Sequence, residues 1–278
     1  MRVRLASKMA AAKNAPCRAE TLTVDILDDC WNRCRICYAS ETSSLKRVLP
    51  FPRFVEIVEQ HPRLKRVEIG GGAPFWHQDL AKMVKFCLSR GLETDISTSG
   101  EHYREDVVEA VRQQTGNFTL QFHLPAACPD AYCSFAKESN FDAAISSLRC
   151  FVAELGNRVV RGRITLCKEN LDQLLPVSEL VAGFGLMLRV ALYLPAKKTS
   201  ATPLDRNDIA NVAFVAKALA ASGKDVRFDY RLSLGTTPCP ALAATYGLEL
   251  KGVCEAEAGL RVYADAGGNE KGCGILDG

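Results

Sequence analysis

Between Leu22 and about Tyr230 the chain alternates short apolar runs with longer stretches whose apolar residues recur at helical spacing. The short runs read as strands at Leu22–Leu27, Arg66–Ile69, Glu93–Ser97, Phe118–Leu124, Val159–Leu166 and Met187–Leu194. The longer stretches read as amphipathic helices. Phe54, Ile57 and Val58 form one apolar stripe, Leu80, Met83, Val84 and Cys87 a second, and Val107, Val108 and Val111 a third. Strands that alternate with helices run parallel, because a same-direction return needs a crossover. Six such units predict an α/β chain folded as a partial (β/α)6 TIM-like barrel. The longest apolar run, Leu180 to Ala196, is interrupted by Arg189 and reads as a helix end, a turn and a buried strand, so no membrane span is expected.

With 278 residues, 47% of them hydrophobic, the chain is long enough for one sizeable core and a small appendage. The expected division is an N-terminal segment (1–20), the barrel (21–232) and a C-terminal extension (233–278). A net charge of +3, with no basic stripe interleaved with aromatics, argues against nucleic acid or a membrane as a partner. Arg2, Arg4, Lys8, Lys13 and Arg18, with Glu20 the only acid among the first twenty residues, superficially resemble a transit segment; a solvated or underside-packing helix is the expectation. Twelve cysteines without a signal peptide, some at metal-ligand spacing, point to a reducing, cytoplasmic setting.

The chemistry concentrates in the run Cys30-Trp31-Asn32-Arg33-Cys34-Arg35-Ile36-Cys37, directly after the first strand. Three thiolates at C-x3-C-x2-C spacing can hold three irons of a [4Fe–4S] cubane and leave the fourth open to a small molecule. Structural zinc usually draws on paired C-x2-C elements instead. In βα folds the functional groups sit on loops leaving the C-terminal strand ends. Three further loops of that kind are chemically loaded: Gly70-Gly71-Gly72-Ala73-Pro74 after the second strand, Thr98-Ser99-Gly100 after the third, and the stretch from His123 through Cys128 and Cys133 after the fourth.

On these residues the sequence resembles the radical S-adenosylmethionine (SAM) enzymes. The resemblance implies that Cys30, Cys34 and Cys37 hold the SAM-binding cluster, with Ile36 where the family usually carries an aromatic residue. Gly70-Gly71-Gly72-Ala73-Pro74 is similar to the family's G-G-E-P motif, with Gly72 in place of the acid. Ser97, Thr98 and Ser99 are candidates for the ribose or carboxylate of SAM, or simply cap the loop. Arg163 is a candidate for a bidentate contact to the SAM carboxylate, and Arg161 shares its face. His123 faces SAM or substrate, or is a satisfied structural histidine. Cys128 and Cys133, in a loop on the same face, are candidates for a reactive thiol or an auxiliary ligand; Cys17, Cys87, Cys150 and Cys167 read as core.

In the tail, Cys254 and Cys273 enclose Gly268 in the pattern C-x13-G-x4-C and read as a hairpin between two ligands. The pattern is similar to the opening half of a SPASM or twitch extension, which implies an auxiliary [4Fe–4S] cluster with Cys239 as a third ligand; zinc or ordinary thiols are the alternative. The first expectation is a radical SAM enzyme that abstracts hydrogen from a small molecule, in a dehydrogenation or rearrangement, with reducing electrons from a flavodoxin or ferredoxin. Peptide modification by a maturase is the second; with Cys30 so early in the chain, no leader-binding domain is expected ahead of it. A non-catalytic iron–sulfur or zinc protein is the third.

Overall fold

The computed structural model describes residues 18–37, 45–114, 116–195, 199–228, 236–237 and 239–272. The expected ligand Cys273, Cys17 and the basic N-terminal segment up to it lie outside the described residues.

The strands and helices follow the alternation in the sequence. In chain order they are β1 (Thr21–Asp25), α1 (Phe51–Gln60), β2 (Arg66–Gly70), α2 (Leu80–Ser89), β3 (Glu93–Thr98), α3 (Glu105–Arg112), β4 (Phe118–His123), α4 (Pro129–Phe135), α5 (Phe141–Leu155), β5 (Val160–Leu166), α6 (Leu174–Gly183), β6 (Leu188–Leu192), α7 (Arg206–Ala221) and β7 (Val226–Phe228). After them come β8 (Thr236–Thr237), α8 (Pro240–Tyr246), β9 (Glu249–Leu250), β10 (Arg261–Ala264) and β11 (Glu270–Lys271). The main sheet has nine strands in the order β11-β10-β1-β2-β3-β4-β5-β6-β7, and every pairing except β10 with β11 is parallel. This is an α/β architecture built on a largely parallel sheet.

Successive side chains of a strand point to opposite faces. One face carries Leu22, Val24, Val67, Ile69, Ile96, Leu120, Phe122, Val160, Ile164 and Val190, all buried. The helices meet that face with the stripes the sequence marks, Phe54, Ile57 and Val58 on α1 and Met83, Val84 and Cys87 on α2. The opposite face is polar: Thr23, Glu68, Asp95, Gln121, Arg161, Arg163 and Arg189 project from it, and pairing aligns Thr23 with Glu68, Glu68 with Asp95 and Gln121 with Arg161. Among the described residues no helix is long and apolar enough to cross a membrane.

The expected C-terminal hairpin is present as β10 and β11, turning at Gly267 and Gly268, where Gly268 has φ 76°. What the sequence does not reveal is that β10 lies alongside β1, with Thr21 opposite Arg261 and Val24 opposite Ala264. Arg261 fixes this join on the polar face, donating from Nη1 to Thr23 Oγ1 at 2.7 Å and Glu68 Oε2 at 2.6 Å and from Nε to Glu255 Oε2 at 3.0 Å. Arg261→Ala removes charge-assisted bonds to Glu255 and to the more shielded Glu68 from a guanidinium that is itself largely shielded, so it is expected to cost about 2–3 kcal/mol in urea unfolding. A loss below about 0.5 kcal/mol, the range of an exposed ion pair, would contradict this role.

Candidate active site

The loop that carries Cys30, Cys34 and Cys37 leaves the C-terminal end of β1 and is held on three sides by backbone contacts. Asp28 N donates to Arg47 O at 3.0 Å, and Arg47 Nε returns to Asp28 Oδ2 at 2.6 Å. Arg35 N donates to Phe135 O at 3.1 Å, Cys34 bridges to Ala136, and Ser200 N donates to Arg35 O at 3.2 Å. Inside the loop Cys37 N donates to Cys34 O at 3.2 Å, and Arg33 takes φ 45°, a left-handed turn that non-glycine residues seldom adopt. The three cysteines are half-buried and none is in a disulfide.

Burial first, then the charges of Cys37, Cys30 and Glu101, push the Cys34 thiol well above its ordinary range, and burial also raises Cys30. Thiolates crowded in this way need a compensating cation, which is the condition an iron–sulfur cluster supplies. Among the described residues no three His, Cys, Asp or Glu side chains converge as ligands of a single ion. A cubane does not require that, since each thiolate binds its own iron at a separate corner. The donor set thus fits a [4Fe–4S] cluster.

The glycine loop lies against the cysteine loop. Gly72 N donates to Leu27 O at 2.6 Å and Ala73 N to Asp29 O at 3.0 Å. Gly71 has φ 112°, and a Cβ there would sit 2.5 Å from Leu27 O; at Gly72 it would sit 2.2 Å from Asp29 O. Glycine is required here because the two backbones touch. From Ala73 the chain turns through Pro74–Trp76, and Arg104 ties that turn to the loop after β3 by donating to Phe75 O at 3.3 Å and His77 O at 2.6 Å.

A shallow depression opens between the two loops and the end of β3, lined by Trp31, Asn32, Ala73, Ser99, Glu101 and His102 among others. At its rim Trp31 meets Trp76 edge-on with centroids 4.3 Å apart, and Trp76 stacks on His102 at 4.1 Å. Both indoles are exposed, Trp31 at 37% and Trp76 at 47%. These residues, and Glu101 and Arg104 with them, were not singled out by sequence reasoning. The available signal was adjacency: Glu101 and His102 directly follow Thr98-Ser99-Gly100, and Trp76 directly follows the glycine-loop Pro74 and Phe75.

The remaining sequence candidates separate spatially. Ser97 lies on the polar face opposite Gln121, while Ser99 lines the depression and its carbonyl accepts from Tyr132 OH at 3.3 Å. Thr98 is buried and its Oγ1 accepts from Gly100 N at 3.0 Å, so it acts as a loop cap. His123 at the end of β4, Arg163 in the middle of β5 and Arg189 near the start of β6 align in register across the sheet. His123 Nε2 is shielded and has no hydrogen-bond partner among the described residues; burial, helped by Arg163, pulls the ring down to about 4, so it is neutral near pH 7. Arg161 sits one layer lower, near Asp95, Arg189 and Arg66.

Two expectations are corrected. Cys133 does not lie in a loop: Pro129 starts α4, so Cys128 ends the loop after β4 as the N-cap while Cys133 is within the helix, its Sγ donating to Ser139 O at 3.5 Å. Cys150 is not core but exposed, because α5 buries the stripe of Ala144, Ile145, Ser147, Leu148 and Phe151 and turns Cys150 outward. Cys87 and Cys167 are buried as expected. In the tail, Cys239 caps α8 and Cys254 precedes β10, both half-buried.

Residues 24–181, more than half of the chain, match the radical SAM superfamily. The chain belongs to that superfamily. It is therefore a radical SAM enzyme, and the superfamily implies a [4Fe–4S] cluster and SAM. The mycofactocin maturase MftC of Mycolicibacterium smegmatis is 23% identical over 178 residues, which are 63% of this chain and 45% of that protein. Streptococcus suis SuiB bound to S-adenosylmethionine superposes with a TM-score of 0.73 at 16% identity, over 98% of this chain and 64% of SuiB. SuiB bound to its precursor peptide SuiA gives 0.72, and anSMEcpe with bound AdoMet gives 0.62 at 12% identity over 91% of this chain and 74% of that chain. At these identities the structural likeness establishes the fold. The chain spans less than half the length of MftC and less than two thirds of SuiB.

Proposed function

We propose that this radical SAM enzyme modifies a peptide, with the [4Fe–4S] cluster held by Cys30, Cys34 and Cys37. The observation that carries the chemistry is the pairing of a half-buried triad of thiols with a glycine loop pressed against its backbone. Held by these three thiols, a [4Fe–4S] cluster would supply the electron for reductive cleavage of SAM. The chain's own part is to hold SAM against the open iron and to position the substrate carbon. In this reading the backbone of Gly70, Gly71 and Gly72 faces the methionyl group, Ser97 and Ser99 face the ribose or carboxylate, and Arg163, beside neutral His123, pairs with the carboxylate.

Peptide modification displaces the small-molecule reading because the curated relative is a maturase and a fold neighbour has been solved with a precursor peptide bound. The exposed indoles of Trp31 and Trp76 at the rim support it, since an extended chain needs flat apolar surface beside the reacting centre. The fuller architecture under this reading is a partial (β/α)6 barrel with a twitch-like extension, in which Cys239, Cys254 and Cys273 hold an auxiliary cluster. A cytoplasmic location and a flavodoxin or ferredoxin donor complete it.

The test is anaerobic turnover with SAM and a pool of peptides deuterated at their side-chain and α-carbons. Deuterium transferred into 5′-deoxyadenosine, with a loss of two hydrogens or a cross-link mass in one peptide, is the expected result. Peptide-independent 5′-deoxyadenosine, with label entering only from deuterated small metabolites, would return the assignment to small-molecule chemistry.

A further inference from the structure

The glycine loop carries Gly72 where the family motif has an acid. A side chain at position 72 would run into the cysteine loop, its Cβ 2.2 Å from Asp29 O and 2.7 Å from Asp28 O. No acid can therefore sit there without moving the backbone that carries the cysteines. Yet the ammonium of SAM is a cation with three donors that must be met by acceptors when it leaves water.

We propose that Glu101, on the loop after β3, is the carboxylate that receives the SAM ammonium, with the side-chain oxygen of Asn32 as a second acceptor. The inference rests on the radical SAM reading of the cysteine triad. Glu101 and Asn32 line the same depression as Ala73, the residue that follows Gly72. One carboxylate oxygen, Oε1, is fixed by Asn140 N at 3.2 Å; the other, Oε2, has no hydrogen-bond partner among the described residues.

Asn32 supplies an independent sign. It is only 3% exposed, and its Oδ1 is buried with no partner among the described residues. A buried acceptor left without a donor is unfavourable, so its presence beside a half-buried carboxylate marks the place where a donor arrives. Two acceptors of this kind, one charged, at the edge of the thiol triad suit an ammonium better than the carboxylate or ribose of the same ligand. Arg104 makes the arrangement rigid by clamping the loop that follows Glu101 to the turn that follows Ala73.

The experiment compares SAM with its analogue lacking the α-amino group, in equilibrium binding to anaerobically reconstituted wild type and Glu101→Gln. Glutamine keeps the oxygen that Asn140 N binds, so folding and iron content are expected to match wild type. SAM affinity is expected to fall about tenfold to a hundredfold, while affinity for the deaminated analogue stays within about twofold of wild type. Glu101→Asp is expected to recover part of the loss. Equal losses for both ligands, or an unchanged SAM affinity, would overturn the assignment of Glu101. The electron paramagnetic resonance signal of the reduced cluster separates the two layers. If wild type shows no shift on adding SAM, the cluster reading fails and Glu101 with it. If wild type shifts and Glu101→Gln binds SAM equally well, only Glu101 fails.

Discussion

Cys34→Ala is expected to abolish SAM cleavage while leaving the fold in place. Cys34 stands in the middle of the loop, and its thiol is affected by the charges of both Cys30 and Cys37. The backbone that positions it does not depend on sulfur: the bridge to Ala136, the bond from Arg35 N to Phe135 O and the bond from Cys37 N to Cys34 O all use main-chain atoms. Removing the thiol therefore removes a ligand without removing the loop. The reconstituted variant should lose about four irons per chain relative to wild type and form no detectable 5′-deoxyadenosine. Its unfolding transition without metal should match that of wild type without metal, because alanine also relieves a crowded, half-buried thiol. Iron remaining in the variant would belong to a second cluster, and its loss on further replacement of Cys239 or Cys254 would place that cluster in the tail. Cleavage of SAM at the wild-type rate by Cys34→Ala would refute the proposed ligand set.

The six βα strands were legible because each is short, apolar on one face and separated from the next by a helical stripe; observed and expected ends differ by no more than about two residues. The cysteine loop was legible because its chemistry is local in sequence. What escaped was set by tertiary contact. Nothing local to Arg261 says that its strand will pair with β1, more than two hundred residues earlier, because the pairing depends on Thr23 and Glu68 presenting acceptors on the same face. Cys150 falls in an apolar stretch, yet one position on a helix decides whether a side chain faces the sheet or solvent, and Phe151 takes the inward position. Glu101 and Asn32 carry no motif. Their meaning lies in the two loops that bring them to one depression, and in the absence of an acid at position 72.

Gly72→Glu gives the sharpest test of how the two loops depend on each other. By residue type alone the change restores the acid that the family motif leads one to expect, and it should tighten SAM binding. The geometry predicts the reverse. Any Cβ at this position meets the backbone oxygens of Asp29 and Asp28 at 2.2 and 2.7 Å, and these are backbone atoms that cannot rotate away as a side chain can. The same segment holds the short bond from Gly72 N to Leu27 O at 2.6 Å. Relief requires the cysteine loop to lift, starting one residue before Cys30. Both Gly72→Ala and Gly72→Glu are thus expected to lower stability by about 1–3 kcal/mol, as overpacking does, and to reduce reconstituted iron and SAM affinity together. Because the alanine variant adds no charge, similar losses in the two would assign the effect to the Cβ and not to the carboxylate. Wild-type iron content in Gly72→Glu, with SAM bound more tightly, would show instead that the loops can separate to admit an acid, and that position 72 and not Glu101 is the natural seat of the ammonium acceptor.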